Sequence, residues 1–513
     1  MADSQNTYVG AIDQGTTGTR FMIFDHGGQV IASAYEQHEQ IYPEPGRVEH
    51  DPIEIWEKTQ QVITAALESE GLDADQLEAI GVTNQRETTL IWDRESGTPV
   101  HNAIVWQDRR TTDRVEKLEE DGLVDEIRAK TGLEADAYFS ATKAEWLLDN
   151  ADPIKTQRAR PADLRERAAD GELCFGTIDA WLIYNLTGNH ITEVTNASRT
   201  MLYDIHELEW DQELLEEFSV PEAMLPEVRP SSDEDFYGHT DPEGFLGADV
   251  PIAGAFGDQQ AALFGQACFE EGEAKNTYGT GSFFLTNTGE SAAESENGLL
   301  TTIGFQRSGE PVQYALEGSI FVTGAAIEWL EDVSLIDDAM ETEELARSVD
   351  STDGVYLVPA FTGLGAPHWD GRARGTIVGM TRGTSREHII RAALESIAFQ
   401  TRDVAEAMEA DTGLEISSLK VDGGAVKNNF LCQQQADIVG AAIARPEVDE
   451  TTALGSAYAA GLAVGYWSDL DELRENWQVD RTFEPETRDG LDEQYDQWLR
   501  AVERSLGWAE EGA

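Results

Sequence analysis

Two aspartates stand where short apolar runs end. Tyr8-Val-Gly-Ala-Ile12 leads into Asp13 and a Gly/Thr-rich stretch, Gln14-Gly-Thr-Thr-Gly-Thr19, while Ile252-Ala-Gly-Ala-Phe-Gly257 leads into Asp258 and Gln259-Gln260. A carboxylate at the end of a buried strand can hold a divalent cation, or it can form a turn with its own backbone; Asp13 admits both readings. A carboxylate reached through small residues can approach a bound molecule closely and accept a hydroxyl proton. Aspartate also favours helix N-caps, and at Asp258 the two roles are compatible. A second Gly/Thr turn, Gly279-Thr-Gly281, follows Ala274-Lys-Asn-Thr-Tyr278. Such turns gather backbone N–H groups and hydroxyls at one point, which suits phosphate oxygens. Singly each is an ordinary hairpin; the pair, with a carboxylate at the first, points to phosphate chemistry. The sequence contains no Gly-Lys dipeptide and no Gly-x-Gly-x-x-Gly opening a helix, which disfavours a P-loop kinase and a dehydrogenase. Arg86-Glu87 sets a fork of donors beside an acceptor, suited to hydroxyl groups or to a surface ion pair. Trp106, Tyr138 and Phe283 read as core or as the wall of a ligand site.

The elements that must position these residues follow from periodicity. Tyr8–Ile12, Arg20–Phe24 and Gln29–Ser33 read as strands of an antiparallel meander, with Asp13 at its first turn. Leu77–Thr83 reads as a strand ending at Asn84-Gln-Arg-Glu87. Helical periods run over Pro52–Glu68, Asp113–Arg128, Lys143–Asn150 and His388–Ala407. A second module begins near Ile252, where a short helix, Gln259–Gly265, precedes the strand Ala274–Tyr278, its turn and the returning strand Ser282–Leu285. The repeat of strand, Gly/Thr turn and strand predicts two similar lobes facing each other. Further on, a strand at Leu419–Val421 leads into Asp422-Gly-Gly-Ala425. Ser231–Val250, acidic and containing Pro and Gly, reads as a flexible loop.

Composition narrows the function classes. The 513 residues hold 36 Lys+Arg against 98 Asp+Glu, a net charge of −62. That field repels phosphate backbones and anionic lipid, so neither nucleic acid nor a membrane surface is expected as a partner. The acidity is spread along the chain, with only Glu510-Glu511 at its end, and there are 8 lysines against 28 arginines. Such a surface on a normally apolar core fits a salt-loaded, halophilic cytoplasm. Cys174, Cys268 and Cys432 are far apart, giving neither a zinc site nor a disulfide framework. The polar start, Met1 to Thr7, is not a signal peptide. The uncharged stretch Thr451–Ser468 has the small residues of a helix packed inside the protein rather than of a membrane span.

Longer motifs carry a resemblance. Tyr138-Phe-Ser-Ala-Thr-Lys143-Ala-Glu-Trp146-Leu-Leu-Asp-Asn150 resembles the first signature of the FGGY carbohydrate kinases, and Gly375-Thr-Ile-Val-Gly379-Met380 with His388-Ile-Ile-Arg-Ala-Ala-Leu-Glu395 resembles the second. Asp13–Thr17, Thr83–Thr88, Asn196–Met201, Gly257–Gly265, Asn276–Gly281, Pro359–Pro367 and Val421–Ala425 are similar to the members of that family that phosphorylate glycerol.

The resemblance implies an α/β fold of two actin-like, ribonuclease-H-like lobes with an active-site cleft between them. Residues 1–265 would form the glycerol and phosphate side and 266–513 the nucleotide side. It implies transfer of a phosphoryl group from ATP to glycerol, giving sn-glycerol 3-phosphate and ADP, with Mg2+. Thr16, Thr17, Gly18 and Arg20 match phosphate contacts at the first turn and Thr280 at the second; Gly324, Glu328, Gly424 and Asn428 match positions near the nucleotide. Arg86, Glu87, Tyr138, Asp258 and Gln259 match the glycerol-binding set, with Trp106 and Phe283 as apolar wall. Asp258 matches the catalytic base, and Asp13 and Asp258 the magnesium carboxylates. A homo-oligomer, dimer or tetramer, is expected. Two alternatives remain beside this reading: a sister kinase acting on a pentulose or another polyol, and an actin-like, nucleotide-switched assembly protein.

Three departures stand out. Gly18 replaces a serine common in bacterial members, removing one hydroxyl from the phosphate turn. Glu328 stands where glutamine is usual. Ser231–Val250 contains no Lys or Arg, so Asp233, Glu234, Asp235, Asp241, Glu243 and Asp249 would repel the fructose 1,6-bisphosphate that some bacterial members bind.

The charge generates the first prediction. Activity holds in molar KCl, where the Debye length is about 3 Å, and is lost on dilution to about 0.1 M salt, where it is about 10 Å. A salt titration of phosphoryl transfer checks this, and full activity at low salt contradicts it.

Overall fold

The apolar runs become strands of two sheets. In the computed structural model, which describes residues 7–151, 161–486 and 490–509, the first sheet holds β1 (Tyr8–Gln14), β2 (Gly18–Phe24), β3 (Val30–Gln37), β4 (Leu77–Asn84), β5 (Gly238–His239) and β6 (Pro251–Gly257). Their spatial order is β5-β6-β4-β1-β2-β3. The second sheet holds β7 (Ala274–Tyr278), β8 (Ser282–Gly289), β9 (Leu300–Phe305), β10 (Gln313–Ile320), β11 (Ser418–Gly423), β12 (Ala442–Pro446) and β13 (Val479–Phe483), in the order β9-β10-β8-β7-β11-β12-β13. The polar start Met1–Asn6 and Glu510-Glu511 lie outside the described residues.

Both sheets share one plan. β1 is antiparallel to β2 and parallel to β4, which is parallel to β6. Likewise β7 is antiparallel to β8 and parallel to β11, which is parallel to β12. The third strand of each meander, β3 or β10, closes antiparallel on the second. The echo of the two Gly/Thr turns is thus a duplication of topology, and the result is a two-lobed α/β fold with mixed sheets flanked by helices and a cleft between the lobes.

The helices cover the sheet faces. Asp51 caps α1 (Pro52–Glu70) by accepting from the Ile53 N–H (2.9 Å), and Gly71 ends it in the left-handed region. The helical period over 113–128 is broken: α2 (Thr112–Asp121) stops at Gly122, φ 75°, and α3 (Val124–Thr131) restarts after it. The apolar spacing of the two helices matches one period, but Gly122 takes the left-handed conformation that ends the first of them. Next come α4 (Ser140–Asn150), α5 (Asp258–Gly265), α6 (Gly324–Asp332), α7 (Arg386–Thr412), α8 (Asn429–Val439) and α9 (Thr451–Ala463). On one face of the first sheet Ile12, Phe21 and Ile23 meet Ile55, Val62 and Ile63 of α1. In the second lobe Ile390, Leu394 and Ile397 of α7 meet Phe284, Leu316 and Leu419.

Two further expectations need correction. The second module does not begin near Ile252, because β6 pairs in parallel with β4 and so completes the first sheet. Nor is Ser231–Val250 a free loop. Ser231 Oγ donates to Glu193 (2.9 Å), Tyr237 OH to the Pro230 carbonyl (2.5 Å), Asp233 pairs with Arg229 (3.1 Å), and β5 lies within it. Its acidic residues had masked these anchors.

The other face of the first sheet is covered from far along the chain. Val9, Ala11, Met22, Phe24, Ala79, Ala253 and Phe256 pack against Ala453, Leu454, Ala457 and Tyr458 of α9 and against Trp467. The uncharged stretch is therefore an interior helix, and no helix among the described residues is long and apolar enough to cross a membrane. Its small residues permit backbone contact. A Cβ on Gly81 of β4 would lie 2.1 Å from the Ser456 carbonyl oxygen, and one on Gly455 would lie 1.9 Å from that of Ala261 in α5. Gly455→Ala must move α9 off α5, so a loss of about 1–3 kcal/mol or more is expected. Thermal unfolding in molar KCl measures it; an unchanged Tm contradicts this packing.

Candidate active site

The first Gly/Thr turn is set by the register of β1 and β2, in which Asp13 opposes Arg20 and Gln14 opposes Thr19. Asp13 is thus a strand residue and not part of the turn. Burial pushes its carboxyl up to about 7; Arg20 opposes that shift, and Glu450 and Asp258 add to it. Arg20 itself is ion-paired with Glu450. The turn is held from behind: Gly15 N–H bonds Gly18 O (2.9 Å), Gln40 Nε2 donates to the Thr16 carbonyl (2.9 Å), and Trp106 Nε1 donates to Thr16 Oγ1 (3.0 Å). Thr17 is exposed, and its Oγ1 shares a hydrogen bond with Tyr35 OH (3.3 Å). At Gly18 a Cβ would lie 2.5 Å from the Glu36 carbonyl oxygen and 2.6 Å from Tyr35 OH. There is no room for a serine, and the Tyr35 hydroxyl occupies that direction instead.

Asp258 is the first residue of α5, so Gly257, not Asp258, is the N-cap. Asp258 Oδ1 accepts from the Gln259 N–H (2.8 Å) and lies 3.2 Å from Arg86 Nε. Among the described residues no donor engages Oδ2, and the side chain keeps 31% exposure. Gly257 makes the approach possible: a Cβ there would lie 2.6 Å from Arg86 Cδ.

Behind Asp258 lies a buried cluster of charge. Arg86-Glu87 is no surface pair. Arg86 Nη1 and Nη2 fork onto both oxygens of Glu317 (2.5 and 3.0 Å), and Nη1 also donates to Gln260 Oε1 (3.1 Å). Arg199 Nε donates to Glu87 (2.6 Å) and its Nη2 to Glu317 (3.1 Å). Burial alone would raise Glu317, but Arg199 and Arg86 override it and hold the carboxyl at about 2. Glu87, with weaker support from the same arginines, is pushed up by burial. Since Glu317 belongs to β10 and Arg86 follows β4, the cluster joins the two lobes. The Arg86 guanidinium also lies over the Phe283 ring (5.6 Å), and Trp106 meets Tyr138 edge-on (5.7 Å). Burial raises the Tyr138 phenol above its ordinary value. Gln259 accepts from Lys275 Nζ (2.7 Å), whose ammonium burial lowers to about 8.

The second turn, Gly279-Thr-Gly281, belongs to the other lobe, between β7 and β8. Thr280 is exposed at its tip. Gly324 N–H and Ala325 N–H donate back to the Gly279 and Thr280 carbonyls (3.1 and 3.0 Å), so the start of α6 is stitched to the turn. Glu328 lies one helical turn further on, exposed. Tyr278 and Gly423 pair in register, which sets exposed Gly424 beside the end of β7. Asn428 Oδ1 caps α8 through the Leu431 N–H (3.0 Å), and its Nδ2 donates to Thr342 (3.0 Å).

Of the residues singled out from sequence, Arg86, Glu87, Tyr138, Asp258, Gln259 and Phe283 meet at or beside the buried charges, Trp106 joins Tyr138 to Thr16, and Gly324 lies against the second turn, whereas Glu328 and Asn428 are placed on α6 and at the start of α8 without a contact to that set among the described residues. Sequence reasoning missed Arg199, Glu317, Gln260 and Lys275. Arg199 lies inside a quoted motif, and Glu317 is a lone carboxylate within Tyr314-Ala-Leu-Glu-Gly-Ser-Ile320; a charge isolated in a strand was the available signal. For magnesium, Asp13 and Asp258 are the candidate ligands. Among the described residues no group of three or more His, Cys, Asp or Glu could hold a metal ion. Magnesium keeps several waters and is completed by substrate phosphates, so two carboxylates whose mutual repulsion it relieves are a fitting set.

Comparison with known proteins agrees with this architecture. Residues 8–265 match the N-terminal domain, and 274–464 the C-terminal domain, of the FGGY family of carbohydrate kinases. Glycerol kinase of Haloferax volcanii is 76% identical over 508 residues, 99% of this chain and 100% of that protein. Glycerol kinase of Haloarcula marismortui is 74% identical over 512 residues, 100% of each. The crystal structure of Plasmodium falciparum glycerol kinase with ADP superposes with a TM-score of 0.90 at 38% identity, covering 98% of both chains.

Breaking the inter-lobe cluster has a signed pH dependence. Glu317→Gln leaves buried arginine charge short of an acceptor and is expected to cost about 3–5 kcal/mol at neutral pH. The folded carboxyl titrates near 2 against an ordinary 4.5, so its contribution is full above pH 5 and fades as pH falls through that window. The Tm gap between native protein and variant should shrink toward pH 2–3; a gap independent of pH refutes the assignment.

Proposed function

The chain belongs to the FGGY family of carbohydrate kinases, and within it we infer an ATP-dependent kinase that phosphorylates glycerol, giving glycerol 3-phosphate and ADP. The likeness to glycerol kinases over the whole chain supports the substrate. The observation that carries the chemistry is the placement of Asp258, with one oxygen fixed by the Gln259 N–H and Arg86 and the other, among the described residues, unengaged, beside the buried charges Arg86, Glu87, Arg199 and Glu317.

The residues divide the work. Glu87, Tyr138, Gln259 and Arg86 fix the hydroxyls of glycerol, while Trp106 and Phe283 cover its carbon face. Arg86 spends most of its donors on Glu317, Gln260 and Asp258, so it shapes the pocket as much as it grips the alcohol. Asp258 accepts the proton of the attacking terminal hydroxyl as the bond to phosphorus forms. Thr16, Thr17, the backbone at Gly18 and Thr280 receive phosphate oxygens from the two lobes. Arg20 joins them by exchanging Glu450 for phosphate. Gly324, Glu328, Gly424 and Asn428 border the nucleotide. Magnesium on Asp13 and Asp258 supplies charge neutralisation to the phosphates when bound. Lobe closure brings the turns together and excludes water, which otherwise competes as acceptor. The sequence's cytoplasmic setting, its 265/266 division into lobes and a dimeric or tetrameric assembly complete the proposal.

Asp258→Ala should lower kcat by about 10²–10⁴. A coupled ADP-release assay in concentrated KCl, with and without glycerol, reads it. Near-normal kcat removes the base assignment, and ADP release indifferent to glycerol removes the kinase reading.

A further inference from the structure

Lys143 belongs to the Tyr138–Asn150 signature but has no part in the chemistry above. It lies in α4 with 0% exposure, and among the described residues no carboxylate forms an ion pair with it. Its Nζ donates to two backbone carbonyls, those of Glu87 (3.1 Å) and Tyr138. Both are among the residues proposed to hold the hydroxyls of the alcohol.

The Glu87 backbone explains why a donor is needed there. Its φ is 60°, in the left-handed region that a long side chain enters only when its surroundings impose it. Its carbonyl accepts three donors: Lys143 Nζ, Ser140 Oγ (3.3 Å) and Thr89 Oγ1 (2.8 Å). With the carbonyl so held, the carboxylate reaches Arg199. Burying an ammonium with carbonyls alone is costly, and an apolar side chain of equal length would fill the space at less cost. Burial lowers Lys143 to about 7; Glu87, Asp108 and Asp136 hold it up and Arg109 opposes them.

We propose that Lys143 is a positioning residue for glycerol. By clamping the carbonyls of Glu87 and Tyr138 it fixes the spacing between the carboxylate and the phenol that receive the hydroxyls. The proposal rests on the kinase reading, with Glu87 and Tyr138 as its alcohol contacts.

The test is steady-state kinetics of the full chain in molar KCl. The native protein examines the kinase reading by itself, because ADP release must depend on glycerol; if it does not, both fall. Lys143→Met should raise KM for glycerol about tenfold or more, as expected for a lost charged hydrogen bond, and leave KM for ATP within about twofold. At the same glycerol concentration the rise in Tm should be smaller for this variant than for the native protein, while the rise given by ADP is unchanged. Unchanged KM for glycerol, or equal changes for both substrates, overturns the proposal even when the native enzyme behaves as a glycerol kinase. Should Lys143→Met fail to fold, Ser140→Ala and Thr89→Val decide. Each should raise KM for glycerol about two- to fivefold with KM for ATP unchanged, and no change in either overturns the clamp.

Discussion

Four buried charges, Arg86, Glu87, Arg199 and Glu317, set the terms for the rest of the molecule. Each is expensive to remove from water, and mutual attraction offsets that cost only when geometry and hydrogen bonds are good. Here the geometry is good because the two sheets deliver the partners from opposite sides: Glu317 from the middle of β10, Arg86 from the end of β4. The cluster makes the seam between the lobes polar and sets the Arg86 guanidinium beside Asp258. Moving either lobe away from the pocket would strand charge in a dry interior.

Much of this was readable in the chain. Strands announced themselves as apolar runs, and the repeated Gly/Thr turn predicted the duplicated topology now seen in the pairing of β1 with β4 and of β7 with β11. What escaped depends on long-range pairing. Glu317 could not be matched with Arg86 from sequence, being separated from it by 231 positions. The anchors of Ser231–Val250 were equally hidden, since Ser231 and Asp233 are polar residues that prove to be buried. The exchange at Gly18 was half legible: a missing hydroxyl could be seen, but not the Tyr35 side chain that fills its direction. Lysine offered an unused clue. In a chain nearly stripped of it, Lys143 and Lys275 persist in full burial at the pocket, where exposure to brine cannot be the reason for keeping them.

The acidic surface and the phosphate site oppose each other. A chain of charge −62 repels a nucleotide at long range, so in the proposed site affinity comes from groups acting at contact: N–H donors of the turns, hydroxyls and Arg20. Arg20 is already neutralised by Glu450, so the proposed phosphate contact there is an exchange of one anion for another rather than the filling of a bare positive site. Concentrated salt shortens the repulsion while leaving hydrogen bonds at contact distance intact.

The contact between α9 and the first sheet has a consequence for biosynthesis. The face of Val9, Ala11, Met22, Phe24, Ala253 and Phe256 leaves the ribosome long before Thr451–Ala463 arrives to cover it. At about 5–20 residues per second the wait is about 10–40 s. Throughout that interval the nascent chain carries a naked greasy surface in a medium whose salt strengthens hydrophobic association. Translation, more than the finished fold, is then the stage at which this enzyme is most exposed to aggregation, and the stage at which a chaperone has the most to offer it.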